Sequence, residues 1–105
     1  MAKTYGIPRC PVARALDLIG ERWTVLILRD LFLQGPRRFQ DFQESLEGIA
    51  PNTLSSRLKE LEASGVVVRK AYSHHPPRLE YHLSEKGRSL RPVLRALRKW
   101  GDANT

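Results

Sequence analysis

The sequence has one cysteine, no long hydrophobic run and few aromatic residues. The single cysteine, Cys10, excludes a framework of intrachain disulfides and fits a reducing compartment. The longest apolar stretch, TVLILRDLFL, is interrupted by Arg29 and Asp30 and is too short to span a bilayer. Because no apolar stretch follows the lysine of MAKTYGIPRC, we expect no signal peptide. These absences together predict a soluble, cytoplasmic protein.

Sequence motifs of catalysis are also absent. We find no glycine-rich phosphate loop, no nucleophile motif and no cluster of metal ligands, so we expect no enzyme, no cofactor and no metal site. The acidic residues Asp41, Glu44 and Glu47 lie in a short amphipathic segment and are expected to form its solvated face. Paired exposed aromatic residues, on which single-stranded RNA stacks, are missing too.

Acidic residues are outnumbered by basic ones. The 105 residues include 18 lysines and arginines but only 11 aspartates and glutamates, which gives a formal charge of +7 and a pI near 10.2. Such an excess of positive charge favours nucleic acid or an anionic membrane surface as a partner. The length suits one domain over residues 1–105, and an apolar fraction of 41% is typical of a globular protein.

The spacing of apolar residues predicts four helices, then a hairpin, then a last helix. The predicted helices run from Pro11 to Gly20, from about Trp23 to Leu33, over Phe39 to Leu46 and from about Pro51 to Ser64. The second is apolar over most of its surface and is expected to be largely buried. The strands are VVVRKAY and LEYHL. This order describes a mainly α fold with a small β-hairpin, a winged helix-turn-helix.

Two residues set the expected bounds of the last helix. Ser84 can cap it, and Pro92 should either bend it or mark its true start.

The fourth helix carries a polar face suited to DNA. With Leu54, Leu58 and Leu61 facing the core, a step of 100° per residue places short polar residues and one lysine on the other side. Such side chains let a helix approach base edges in the major groove and read them. A plain solvated face is the other interpretation, but the neighbouring short helix and hairpin favour recognition. The candidate base-reading residues are Asn52, Thr53, Ser55, Ser56 and Lys59.

Three arginines outside the predicted hairpin are further candidates for contacts with DNA. Arg37 and Arg38 stand at the start of the third helix, where a helix N-terminus and adjacent guanidinium groups favour a phosphate. A pair of solvated arginines is the alternative. Arg57 either reaches a phosphate or pairs with a carboxylate such as that of Glu60.

The segment between the two strands, YSHHPPR, admits three interpretations. A metal site needs more ligands than the two histidines, and only His82 and Cys10 remain, both distant in sequence. A flexible linker does not fit between two strands. Pro76 and Pro77 remove two backbone donors and should hold the loop extended, outside the ladder. Arg78 on such a stiff loop suits a narrow minor groove, so we predict a wing.

The chain resembles the HxlR-type winged-helix transcriptional regulators of bacteria. The matching stretches are CPVARALDLIGERWTVLILRDL, RRFQDFQESLEGIAPNTLSSRLKELEASGVVVR, PPRLEYHLSEKGRSL and LRKWG. The resemblance implies a homodimer that binds an inverted repeat in double-stranded DNA, often near its own promoter. Ala50 departs from the family, in which a serine able to cap the fourth helix is usual. A basic RNA-binding or protein-interaction module on the same scaffold is the alternative function.

The resemblance also implies that subunits pair through the first and last helices. The last helix is then a dimerisation helix. Its large apolar residues are placed where a dimer interface uses them, which argues against membrane binding. The implied dimer interface consists of Leu90, Val93, Leu94, Leu97 and Trp100.

In part of this family, the cysteine at the position of Cys10 senses oxidants or electrophiles. Cys10 precedes Pro11 at a helix N-cap, where the helix dipole favours a thiolate, and Arg9 and Arg14 act in the same direction. An inert packing cysteine is the other interpretation. With one cysteine per chain, oxidation gives either an intersubunit disulfide or a mixed adduct with a small thiol.

Overall fold

The computed structural model describes residues 10–105, which fold into six helices and one antiparallel hairpin. The mainly α winged helix-turn-helix order expected from the sequence is confirmed. The elements are α1 (Pro11–Ile19), α2 (Arg22–Gln34), α3 (Phe39–Ser45), α4 (Pro51–Ala63), β1 (Val67–His74), β2 (Pro77–Leu83), α5 (Glu85–Arg88) and α6 (Arg91–Asn104).

The core lies between α2, α3, α4 and the base of the hairpin. In α4 the buried leucines recur every three or four positions, and α2 buries Ile27, Leu28 and Leu31, so each of these two helices turns one side inward. The prediction that Leu54, Leu58 and Leu61 face the core is confirmed. Helix α2 is central as expected, although Leu33 near its end is 63% exposed. The largest fully buried side chains are Phe42, Ile27, Leu28, Leu54, Leu58, Leu61, Val66 and Val67.

The turn between α3 and α4 determines how α4 is presented. Gly48 has a φ of 88°, a left-handed conformation that side chains other than glycine rarely adopt. Ile49 is buried and anchors the turn to the core. Helix α4 then begins at Pro51, where a missing N–H leaves no intrahelical bond unmade. Ala50 is the N-cap and offers no side-chain bond, in keeping with the sequence.

The hairpin ladder extends farther than the sequence predicts. It reaches the pair of His74 and Pro77, so Pro77 and Arg78 lie in β2 and only His75 and Pro76 form the tip. The expectation that both prolines stay outside the ladder is therefore wrong for Pro77. A proline lacks only the N–H donor, which makes it compatible with the end of an exposed strand.

The hairpin is fixed to the helical body through Tyr81. The N–H of Arg37 donates to the Tyr81 carbonyl (3.0 Å), and the Tyr81 N–H donates to the Arg37 carbonyl (2.6 Å). The Tyr81 ring also packs edge-on against Phe42, with 6.1 Å between ring centroids. Burial raises the pKa of Tyr81. The residues just before α3 and strand β2 of the hairpin are therefore joined by backbone hydrogen bonds and by ring packing.

The last helix is interrupted. Ser84 caps the short helix α5, where its side chain accepts a hydrogen bond from the Gly87 N–H (3.0 Å), and does not cap one long helix as expected. Helix α6 starts at Arg91 with Pro92 in its first turn, so Pro92 marks the true start. Leu90 is the N-cap of α6 and packs against the core of its own chain.

Candidate nucleic-acid interface

The outward side of α4 presents short polar side chains. Asn52, Ser56 and Lys59 are exposed, and Thr53 and Ser55 are half-buried on the flanks. Within residues 10–105 the side chains of Asn52, Ser56 and Lys59 make no hydrogen bond or ion pair. This face is therefore available to a partner, and the buried leucines on the opposite side of α4 hold it in place.

Arg57 fixes α4 to the start of α2. Its guanidinium donates to the carboxylates of Glu21 (2.9 Å) and Glu60 (3.0 Å), so of the two alternatives left open by the sequence, the carboxylate pairing is the one observed. Glu21 is also the N-cap of α2 and accepts the Thr24 N–H. Burial raises the pKa of Glu21, but hydrogen bonds from the backbone of Trp23 and Thr24 and the charge of Arg57 outweigh it and lower that pKa.

Arg38 is bound to Asp41 within the first turn of α3. The Asp41 carboxylate accepts two hydrogen bonds from the guanidinium (2.8 and 3.1 Å) and one from the Arg38 N–H (2.9 Å). These bonds lower the pKa of Asp41 to about 2, and they raise the pKa of Arg38. The carboxylate already occupies the helix start at which the sequence suggested a phosphate. Arg38 keeps 45% of its side chain exposed, so its outward side is still open to DNA.

Arg37 turns inward instead. Only 17% of its side chain is exposed, and its guanidinium donates to the Asp41 carbonyl (3.0 Å) and lies 3.8 Å from the Asp30 carboxylate. Asp30 is buried and is also bound by Arg29 (3.2 Å) and by the Ser45 hydroxyl. A buried carboxylate needs such partners. Arg37 thus ties α2 to α3, which makes it a poor candidate for direct contact with phosphate.

Asp30 is a structural residue that the sequence reasoning did not single out. The sequence does contain a sign of this role. Asp30 is an acidic residue inside the apolar run of α2, and it falls on the same side of the helix as the buried residues Ile27 and Leu31.

The wing presents further positive charge. Arg78 on β2 is exposed and makes no ion pair within residues 10–105. The same is true of Lys70 on β1, a residue that the sequence analysis did not single out. Arg69, in contrast, donates to Glu62 of α4 (3.0 Å). This ion pair joins the wing to α4.

Cys10 is the N-cap of α1, as the sequence predicts. It is half-buried, its carbonyl accepts the Arg14 N–H (3.0 Å), and its side chain makes no capping hydrogen bond. Arg9, the other arginine expected to act on this thiol, lies outside the described residues.

Residues 10–105 contain no group of three or more side chains placed to hold a metal ion. No helix in the same range is long and apolar enough to cross a membrane.

Helix α6 leaves apolar side chains uncovered. None of its residues is buried, and Val93, Leu97 and Trp100 are 40%, 51% and 65% exposed. The stripe expected to form a dimer interface is divided, because Leu90 packs on the core and Leu94 lines a groove against α2. Helix α1 also exposes apolar side chains, namely Val12, Leu16 and Leu18.

Comparison with known proteins gives consistent matches. A family model described as HxlR-like helix-turn-helix matches residues 18–105. The protein BH0655 of Halalkalibacterium halodurans, named an uncharacterized HTH-type transcriptional regulator, is 41% identical over 102 residues, which cover 97% of this chain and 90% of that protein. The redox regulator HypR in its oxidized form superposes with a TM-score of 0.84 and 38% identity, over 91% of this chain and 98% of HypR. The reduced form of the transcriptional regulator YodB from B. subtilis has a TM-score of 0.77 and 36% identity, over 90% and 93% of the two chains.

Proposed function

The chain belongs to the HxlR-like helix-turn-helix family of transcriptional regulators, and from this premise we propose that it binds a specific operator as a homodimer. Proteins of this kind are regulators and not enzymes. The observation that carries the proposal is the outward face of α4, where Asn52, Ser56 and Lys59 are exposed and unpartnered among the described residues. A helix with such a face fits the major groove of DNA, which is about 12 Å wide.

In this proposal α4 reads bases while the residues around it hold the DNA backbone. The Asn52 amide offers a donor and an acceptor to a base edge, and the hydroxyls of Ser55 and Ser56 and the ammonium of Lys59 add shorter contacts. Thr53 lies on the opposite flank of this face from Ser55. Arg38, with its outward side exposed, contacts a phosphate.

The wing lies beside the same stretch of DNA. Arg78 on β2 reaches the minor groove, where a narrow A·T-rich segment attracts a guanidinium.

The ion pairs that position α4 and the wing contribute indirectly to DNA binding. Arg57 holds α4 to the N-cap of α2, and Arg69 holds the wing to α4. A recognition surface held by such ion pairs loses little conformational freedom on binding, which favours affinity. The predicted role of Arg57 is therefore to orient the helix and not to contact a phosphate.

The homodimer is supported by the uncovered apolar side chains of α1 and α6. A contiguous apolar surface on a small protein marks an interaction site. A second copy covers Val93, Leu97 and Trp100 by a two-fold interface and presents a second α4 to the next turn of DNA. Two-fold symmetry of the protein is matched by an inverted repeat in the operator.

The DNA-binding proposal is tested by fluorescence anisotropy. The protein enriches a site from a randomised duplex pool, and the affinity for that site and for a scrambled duplex is measured at two salt concentrations. We expect the enriched site to bind about 10³-fold more tightly than the scramble. Both affinities should fall steeply with salt, because bound lysines and arginines release counterions from DNA. Enrichment of no sequence, or equal affinity for the enriched site and the scramble, contradicts a base-reading function and favours the alternative RNA-binding or protein-interaction module.

The proposal extends to oxidant sensing through Cys10. Its position at the N-cap of α1 supports this role. The similar solved structures support it too, since one of them is named a redox regulator. Two Cys10 thiols of a dimer, or one thiol and a small thiol, lose two electrons and two protons to a diamide or quinone and form a disulfide. Cys10→Ser should bind the operator as the wild type does but lose its response to diamide. An unchanged response in that variant contradicts the role.

A further inference from the structure

A groove between α2 and α6 combines an apolar floor with a positively charged rim. Its volume is about 650 Å³, within the range of roughly 300–1,000 Å³ that holds small ligands. Apolar side chains of both helices, among them Phe32 and Leu94, form the floor. The rim carries four arginines, Arg29, Arg91, Arg95 and Arg98.

The positive charge of this rim is largely uncompensated. Arg29 pairs with Asp30 (3.2 Å), but Arg91, Arg95 and Arg98 have no carboxylate partner among the described residues. Asp102, one turn beyond Arg98 on α6, makes no ion pair with it. Like charges gathered along one helix face without counter-charges repel one another, and a bound anion relieves that repulsion.

Arg91 is already ordered for binding. Its guanidinium lies 4.8 Å from the centroid of the Phe32 ring, in a cation–π contact. A guanidinium held in this way loses less freedom when it forms a bidentate hydrogen bond with a carboxylate. The ring and the charge are adjacent, so one ligand with an apolar body and an acidic group can use both.

On α6 the arginines of the groove and the exposed apolar stripe point in different directions. Arg95 and Val93 are two residues apart on α6 and therefore roughly 160° apart around the helix, and the same holds for Arg98 and Trp100. A second copy seated on Val93 and Trp100 leaves the arginine side of α6 uncovered. Leu97 lies between the two sides and contributes to both.

We propose that this groove binds an organic anion with a planar apolar body and a carboxylate group. The body rests on Phe32 and Leu94, while Arg91, Arg95 and Arg98 take the carboxylate. An inorganic anion leaves the apolar floor unused, and a neutral ligand leaves the charges unpaired. Binding itself does not depend on the proposed DNA-binding function, whereas any effect of the ligand on operator affinity rests on that function.

The probe is naphthoate, with neutral naphthamide of the same shape as its control, and binding is measured by isothermal titration calorimetry. We expect naphthoate to bind at least about tenfold more tightly than naphthamide, because charge-assisted bonds to guanidinium groups are about twice as strong as neutral ones. Arg95→Gln combined with Arg98→Gln should lower naphthoate affinity several-fold, towards that of naphthamide, because only Arg91 of the three then remains to bind the carboxylate. Both side chains are exposed, so the variant should fold, which circular dichroism verifies.

The matched control is Lys99→Gln, which removes a cation from the same helix outside the groove. It should keep the wild-type affinity for naphthoate. Equal affinity for naphthoate and naphthamide, an equal loss in the Lys99 variant, or no naphthoate binding by the wild-type dimer overturns the proposal. Operator binding is measured on the same samples without naphthoate. A protein that binds naphthoate but no DNA keeps this inference and loses the proposed function, and the reverse result does the opposite.

Discussion

Arg37 and Arg38 are neighbours in the chain but have different partners. Arg37 is directed inward to Asp30 and the Asp41 carbonyl, whereas Arg38 stays at the surface and binds the Asp41 carboxylate. The sequence predicted the position of both at the start of α3 but not this division. Which arginine meets a buried carboxylate depends on how α2 packs against α3, and a local pattern does not contain that information.

Arg37→Ala should destabilise the protein more than Arg38→Ala. Loss of Arg37 removes one partner of the buried Asp30 carboxylate, at a cost of about 1–3 kcal/mol because Arg29 and Ser45 still bind it. Loss of the exposed Arg38 ion pair should cost less than about 1 kcal/mol. Urea unfolding of the two variants under identical conditions gives both values. Equal destabilisation contradicts the division of roles.

Arg78→Ala should weaken DNA binding several-fold, most strongly at sites flanked by A·T pairs. The reason is that a narrow A·T minor groove concentrates the negative potential that attracts a guanidinium. Anisotropy titrations with A·T-flanked and G·C-flanked versions of the enriched site measure the difference. Lys70→Ala, on the other strand of the wing, serves as a control that removes charge without an assigned groove contact. A loss that is the same at both flanks leaves Arg78 as a phosphate contact only.

At the scale of elements, periodicity predicted helices α1 to α4 and the buried side of α4. The leucines of α4 recur at helical spacing and face the core as expected. The end of the chain was less predictable from sequence. Helix α5 ends at Arg88, and Pro92 lies in the first turn of α6. The apolar stripe that looks continuous in the sequence is therefore split, and Leu90 joins the core. The ladder at Pro77 was missed because strand pairing depends on the partner strand as well as on local preference.

The start of α3 should make stability depend on pH at the acidic end. The Asp41 pKa falls from its ordinary value of 3.8 to about 2 in the folded protein. Its contribution is therefore present in full above about pH 4 and is lost as the pH falls towards 2. Asp41→Asn should lower the thermal midpoint at pH 6 and flatten its decline between pH 4 and pH 2. An equally steep decline in variant and wild type contradicts the assignment.

At the scale of the whole molecule, charge and apolar surface are distributed over different elements. The exposed polar face belongs to α4, the exposed apolar stripe to α6, and the arginine-rimmed groove lies between α2 and α6. The net charge of +7 predicted a polyanionic partner in general. Only the folded structure shows which of these cations, Lys59 and Arg78 among them, are exposed and unpartnered within residues 10–105.

The dimer is the prediction that belongs to this scale. The wild type should sediment as a dimer at micromolar concentration, since burial of the α6 stripe removes exposed Trp100 and its neighbours from water. Trp100→Glu should shift the protein towards a monomer, and Lys99→Glu, on the same helix, should not. Analytical ultracentrifugation measures both. A wild type that stays monomeric contradicts the proposed homodimer.

The most direct test of base reading by α4 compares Asn52→Ala with the wild type on the enriched and scrambled duplexes. Asn52 is exposed and unpartnered in the described chain, so its loss should leave the fold intact. The account predicts that affinity for the enriched site falls by about 1–3 kcal/mol, roughly 5- to 160-fold, while affinity for the scramble is unchanged. The ratio of the two affinities therefore drops. An unchanged ratio, or an equal loss on both duplexes, contradicts the claim that this face of α4 reads DNA sequence.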